Sequence, residues 1–173
     1  MIDTDPSDSG ATESSQQLIE TGHGLEDAGD VLGALALYEQ AVATAPTHIR
    51  AYLNLGNALQ RLGRTAEAVA ALQTALRIAP DSAPCHFNLG NVHMEAGNFA
   101  AAEHALREAI RLDPAMTQAS VALANVLEMQ QRPREAERAL RDVLVTRPEF
   151  VPAAYNLALL LQKSRRCRCC PRR

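Results

Sequence analysis

The sequence predicts an all-α fold built as a solenoid of stacked helical hairpins, and three observations carry the prediction. A 34-residue period holds at several positions at once, with prolines at Pro46, Pro80, Pro114 and Pro148 and alanines at Ala34, Ala68, Ala102 and Ala136. Bulky residues keep the same step at Tyr38, Leu72, Leu106 and Leu140. Leucines recur at Leu55, Leu89, Leu123 and Leu157, each followed by a small residue, Gly56, Gly90, Ala124 and Ala158. Periodicity on this scale marks a repeat array, in which each unit buries its apolar face against its neighbours. Hydrophobic residues make up 47% of the chain and aromatics only 3%, so alanine and leucine must do the packing, which suits closely approaching helices.

Residues 1–14 are rich in Asp, Ser, Thr and Gly without periodicity and read as a disordered acidic leader. The array then runs over 15–163, as repeats 15–48, 49–82, 83–116 and 117–150 and a partial repeat 151–163. Residues 164–173 form a basic Cys/Arg tail, also expected to be disordered. Within 49–82, Tyr52, Leu55, Leu59 and Leu62 recur at helical spacing, and Gly63 ends the segment where a positive φ is wanted. A second helix from about Thr65 carries Ala68, Val69, Leu72, Ala75 and Leu76 on one stripe. Pro80 stops it, because proline lacks an amide hydrogen and restricts the residue before it. Asp81 and Ser82 are candidate caps for the next helix. Gly29 and Gly97 stand where Gly63 does, whereas the fourth repeat has Gln131 with Pro133 nearby, so a different local turn is expected there.

The net charge of −3 argues against a general nucleic-acid binder, but the charges are unevenly placed. Residues 1–49 hold nine acids and no Lys or Arg, while the last eleven hold Lys163 and five arginines without an acid. Such asymmetry can steer a partner. The start shows neither the basic nor the apolar region of a secretory signal, and no apolar run approaches the ~20 residues needed to span a bilayer. A cytoplasmic protein with reduced cysteines and no membrane association is therefore expected.

Little in the chain suggests catalysis. His86 and His93 are seven residues apart, about 10 Å along a helix, too far to chelate one metal by themselves, and they read as packing residues. Cys85 beside them reads as a small buried residue. Cys167, Cys169 and Cys170 lie among arginines that would favour reactivity, yet they lack the spaced second pair of a zinc site. A phosphate-binding glycine loop, a His-Glu-x-x-His motif and a plausible triad are all missing. The expectation is no enzyme, no cofactor and no metal.

The series Tyr52, Leu55, Gly56, Leu59, Ala68, Leu72, Ala75, Pro80 resembles the tetratricopeptide repeat pattern. The next copy is His86, Leu89, Gly90, His93, Ala102, Leu106, Ala109, Pro114. Ser120 and Ala154 depart from the bulky first position, and Ala124 and Ala158 replace glycine. Asn54-Leu55-Gly56-Asn57 and Asn88-Leu89-Gly90-Asn91 resemble most the superhelical arrays of O-linked N-acetylglucosamine transferases and related bacterial proteins. The resemblance implies a right-handed superhelical solenoid whose first helices line a concave groove, with repeat positions 2, 5, 6, 9, 12 and 13 on or near it.

Six of the ten residues at positions 6 and 9 are asparagine: Asn54, Asn57, Asn88, Asn91, Asn125 and Asn156. Asparagine is a mediocre helix former, and positions three apart share a helix face. Each amide offers a donor and an acceptor, which suits recognition of an extended backbone. Apolar neighbours at position 5, namely Leu53, Phe87, Val121 and Tyr155, would add side-chain contact. The competing assignment has the position-6 amides bonding between adjacent helices. The subclass that captures chaperone C-terminal carboxylates is disfavoured, since position 5 is apolar throughout and Arg50 is the only cation at position 2. The expected function is a protein-interaction module binding an extended peptide or protein segment, as an adaptor or assembly scaffold. The alternative is a substrate-recognition region of a glycosyltransferase-like enzyme whose catalytic domain lies outside this chain. Helix 152–163 carries Leu157, Leu159, Leu160 and Leu161, so self-association through it is also expected.

Overall fold

The computed structural model describes residues 6–168, with side chains from 10 to 163. Among the described residues there are nine α-helices and no strand. They are α1 (Pro6–Asp27), α2 (Val31–Thr44), α3 (Ile49–Arg61), α4 (Thr65–Ile78), α5 (Ala83–Glu95), α6 (Phe99–Leu112), α7 (Thr117–Met129), α8 (Pro133–Thr146) and α9 (Val151–Arg168). Odd-numbered helices are the first helices of the repeats and even-numbered ones the second. The fold class is the all-α helical-repeat solenoid that the periodicity predicts.

The periodic residues make the boundaries. Ala45, Ala79, Asp113 and Arg147, each just before a repeat proline, end the second helices with ψ between 80° and 89°. That is the departure from helical geometry that a following proline imposes. Gly63 and Gly97 turn with φ of 72° and 74°. Gln131 adopts the same left-handed conformation, with φ of 62°. The fourth turn is therefore not a different one. The Arg132 amide bonds the Leu127 carbonyl at 2.9 Å, as the Arg64 amide bonds Leu59 at 2.9 Å. Neighbouring contacts hold the geometry although a side chain there is strained. Pro133 then begins α8, where its missing amide hydrogen costs nothing.

Two boundaries differ from expectation. α1 starts at Pro6, so a stretch without apolar periodicity is helical. Ser15 explains part of this: it is fully buried, and its Oγ lies 2.8 Å from His48 Nδ1 at the start of α3. At the other end, α9 continues to Arg168 rather than stopping near Lys163. Residues 169–173 of the expected tail, including Cys169 and Cys170, and the side chain of Cys167 lie outside the described residues. Ser82 stands just before α5, and its carbonyl accepts from the His86 amide at 3.1 Å, the first bond of that helix.

The chain divides into two compact units, up to Val92 and from His93 onward. In the first unit, Ile19, Tyr38, Leu59, Leu72 and Val92 form a core with Ala34, Ala41, Ala51, Ala58 and Ala68. The small position-8 residues are sockets. A Cβ at Gly56 would stand 2.8 Å from Leu72 Cγ, and one at Gly22 would stand 2.5 Å from Tyr38 Cε1. Gly22 is thus the first repeat's counterpart of Gly56, hidden in the sequence because Thr21 replaces the usual leucine. In the second unit, Leu123 and Val126 of α7 are buried beside Ala136, Leu140 and Val143 of α8.

Candidate functional site

The candidate residues occupy the first helices, of which α1 meets α3 in the first unit and α7 meets α9 in the second. In the first unit, Leu53, Asn54 and Asn57 come from α3, and Phe87, Asn88 and Asn91 from α5, all half-buried. Asn54 holds the most telling position, because its Nδ2 is buried without a hydrogen-bond partner. An unmet buried amide donor costs about 1–3 kcal/mol. The residue that precedes it in the ladder is His23, whose ring instead meets Tyr38 edge-on at 6.0 Å.

In the second unit the same ladder is closed. Asn156 Nδ2 donates to Asn125 Oδ1 at 3.1 Å, joining position 6 of α9 to position 9 of α7. This is the inter-helix bond weighed against peptide binding, and it holds for this pair. Val121 is half-buried, whereas Tyr155 is 63% exposed.

An ion pair that sequence reasoning missed borders the ladder and recurs. Glu26 Oε1 accepts from Arg61 at 2.9 Å, and Glu128 Oε1 accepts from Lys163 at 2.6 Å. Both join position 12 of one repeat to position 13 of the next. Tyr38, fully buried, donates its hydroxyl to Glu26 Oε2 at 2.9 Å. Burial first, then this bond to a carboxylate, raises the phenol pKa well above its usual value. Farther along, Glu103 accepts two bonds from Arg132 Nη1, at 2.9 and 2.8 Å, and also pairs with Arg107. Burial pushes its carboxyl pKa up, but the bonds from Arg132 and Gln130 and the nearby cations outweigh burial and bring it below the usual range.

The histidines behave as packing residues. His86 Nε2 lies 2.9 Å from the Pro80 carbonyl, and burial lowers the pKa of His93, whose Nδ1 has no partner. Cys85 is buried, and its thiol pKa is raised by that burial. Among the described residues no three His, Cys, Asp or Glu side chains are grouped to hold a metal, and no helix is long and apolar enough to cross a membrane. The arrangement offers amide donors and acceptors with apolar neighbours, which is chemistry for holding a polypeptide.

Known proteins give the family. A tetratricopeptide repeat family model matches residues 21–81 and 47–115, and a second tetratricopeptide repeat model matches 87–149. Among solved structures, PilF of Pseudomonas aeruginosa is similar at a TM-score of 0.81 and 23% identity, over 91% of this chain and 72% of that one. A crystal structure of MamA is similar at 0.73 and 23% identity, over 83% of this chain and 84% of that one. The O-GlcNAc transferase of Thermobaculum terrenum is similar at 0.73 and 24% identity, over 83% of this chain but 27% of that one. At these identities the likeness is one of fold. No curated protein matches the chain. The repeats make it a protein-interaction scaffold in general terms, and the chain belongs to the tetratricopeptide repeat family.

Proposed function

We propose that the array is a cytoplasmic adaptor or assembly scaffold that binds an extended segment of a partner protein along its first helices. The buried, unpartnered Nδ2 of Asn54 carries this reading. Asn54 as a whole is half-buried, so a turn of its amide toward the exposed side would bring Nδ2 to a peptide carbonyl, and Asn57, Asn88 and Asn91 repeat the same amide chemistry. Packed helices lie about 8–10 Å apart and an extended chain rises about 3.3 Å per residue, so amides on successive first helices would meet a strand about every third residue. Leu53 and Phe87 flank these amides and would receive apolar side chains. Asn125 and Asn156 satisfy one another, so they add little unless a ligand opens their bond. A role in substrate recognition beside a glycosyltransferase-like domain rests on the shared fold and on the Asn-Leu-Gly-Asn segments at 54–57 and 88–91.

The test begins by selecting binders from a random-peptide display library on the intact chain. The affinity of the best peptide is then compared between the native chain and Asn88→Ala/Asn91→Ala. We expect at least about tenfold weaker binding with an unchanged melting temperature, as when recognition rests on a few central groups. Unaltered affinity in a folded variant would refute the amide-ladder reading.

A further inference from the structure

Tyr38 differs from its counterparts in a way that packing does not require. Leu72, Leu106 and Leu140 hold the same repeat position, and Leu72 fills the space over Gly56 as Tyr38 fills that over Gly22. An aliphatic side chain therefore suffices for the socket. The phenol adds a hydroxyl, which donates to Glu26 Oε2 at 2.9 Å from a fully buried residue. The other oxygen of the same carboxylate accepts from Arg61 Nη1 at 2.9 Å. Phenol, carboxylate and guanidinium form one chain of bonds that runs from α2 through α1 to α3.

Its outer end stands beside the amide ladder. Arg61 follows Asn57 by four residues and Asn54 by seven, so it shares their face of α3. Its side chain is 52% exposed against 19% for Glu26, so the guanidinium reaches the open side while the carboxylate lies behind it. A guanidinium carries five N–H donors in a rigid plane, and Glu26 takes one of them. Surface ion pairs are ordinarily loose, because two long side chains must be ordered to form them. Here the bond from Tyr38 fixes the carboxylate, and through it the guanidinium. The second unit has the pair without the anchor: Lys163 donates to Glu128 at 2.6 Å, but Leu140, at the position of Tyr38, has no hydroxyl to offer.

We infer that Arg61 contacts the main chain of the partner, donating to a peptide carbonyl beside Asn54 and Asn57, and that Tyr38 is the positioning residue that holds it through Glu26. The inference rests on the binding of an extended segment proposed above. The acceptor is a neutral carbonyl rather than a carboxylate. Glu26 already balances the charge of Arg61, and the exposed Glu20 and Asp27 of α1 oppose an acidic side chain.

The peptide selected on the intact chain is the probe, with affinity read by titration calorimetry and folding by thermal melting. Arg61→Lys keeps a cation for Glu26, as Lys163 serves Glu128, but replaces the fork, whose edges can face two acceptors, by a compact ammonium. It should weaken binding about tenfold at an unchanged melting temperature, the loss of one hydrogen bond to a charged group. Tyr38→Phe keeps the ring over Gly22 and removes only the hydroxyl. It should weaken binding about threefold, in the range of an ordinary hydrogen bond. Because Tyr38 acts through Arg61, Tyr38→Phe/Arg61→Lys should bind no more weakly than Arg61→Lys alone. Native affinity in Arg61→Lys overturns the contact. A Tyr38→Phe loss that persists in full on the Arg61→Lys background overturns the positioning role. Asn88→Ala/Asn91→Ala leaves Tyr38, Glu26 and Arg61 in place, so the same peptide measured on it tells a failure of the amide ladder from a failure of this contact.

Discussion

Asn156 and Asn125, 31 residues apart, hold each other across neighbouring first helices through a 3.1 Å amide–amide bond. The bond is half-buried, and a net value of about 0.5–1.5 kcal/mol is expected for it. Asn156→Ala should destabilise the second unit by about that amount, and Asn125→Ala/Asn156→Ala should cost little more than the single change. A double-mutant cycle from urea unfolding reads the coupling. Strictly additive losses would show that the bond contributes nothing.

Gly56 is required for space. A methyl group there would meet Leu72, which is fully buried and has no free direction in which to move. Gly56→Ala gains up to about 1 kcal/mol of helix propensity but overpacks the contact by about 1–3 kcal/mol, so a net loss is expected. Ala68→Leu, on the facing helix, should lose about 1–3 kcal/mol for the same reason. Thermal unfolding checks both, and an unchanged melting temperature for either would contradict the socket packing.

Gln131 predicts the opposite sign. Its φ of 62° is glycine geometry carried by a residue with a Cβ, at an exposed turn. Gln131→Gly should raise stability by about 1 kcal/mol, offset in part by the looser unfolded chain. A lower melting temperature would mean that the Gln131 side chain makes a compensating contact.

Two histidines predict how stability follows pH. His48 has its pKa lowered by burial and then by the charge of Arg50, and His93 by burial. Each therefore titrates below 6.5 when folded and near 6.5 when unfolded. The unfolded chain takes up the protons first, so this stability is complete above that value and is lost as pH falls toward the folded pKa. The melting temperature should drop between pH 7.5 and 5.5, and the drop should shrink in His48→Asn/His93→Asn. A profile with the same slope in both chains would remove the histidines from the explanation.

The fold was legible because each landmark has a local cause. Pro46, Pro80, Pro114 and Pro148 each follow the end of a helix, and Gly63 and Gly97 turn as their position requires. The misreadings came where distant contacts override local preference. Gln131 takes a glycine's conformation because its repeat holds it there, and the polar start of α1 gains support from Ser15 and His48. The site was legible only as a list of residues on one face. The spacing of Asn125 and Asn156 could not say whether their amides face a ligand or each other, since that depends on the offset between two helices. The Glu26–Arg61 and Glu128–Lys163 pairs eluded reading for the same reason, because their partners are one repeat and one residue apart.

The seating of Leu72 over Gly56 also governs how such a chain can change in length. An insertion or deletion inside the helices of a repeat, of any size other than a whole period, would slide that repeat's large side chain off its socket. Lengthening or shortening therefore proceeds in steps of 34 residues, and the reach of the molecule is quantised, like a rack whose teeth admit only whole-notch adjustment.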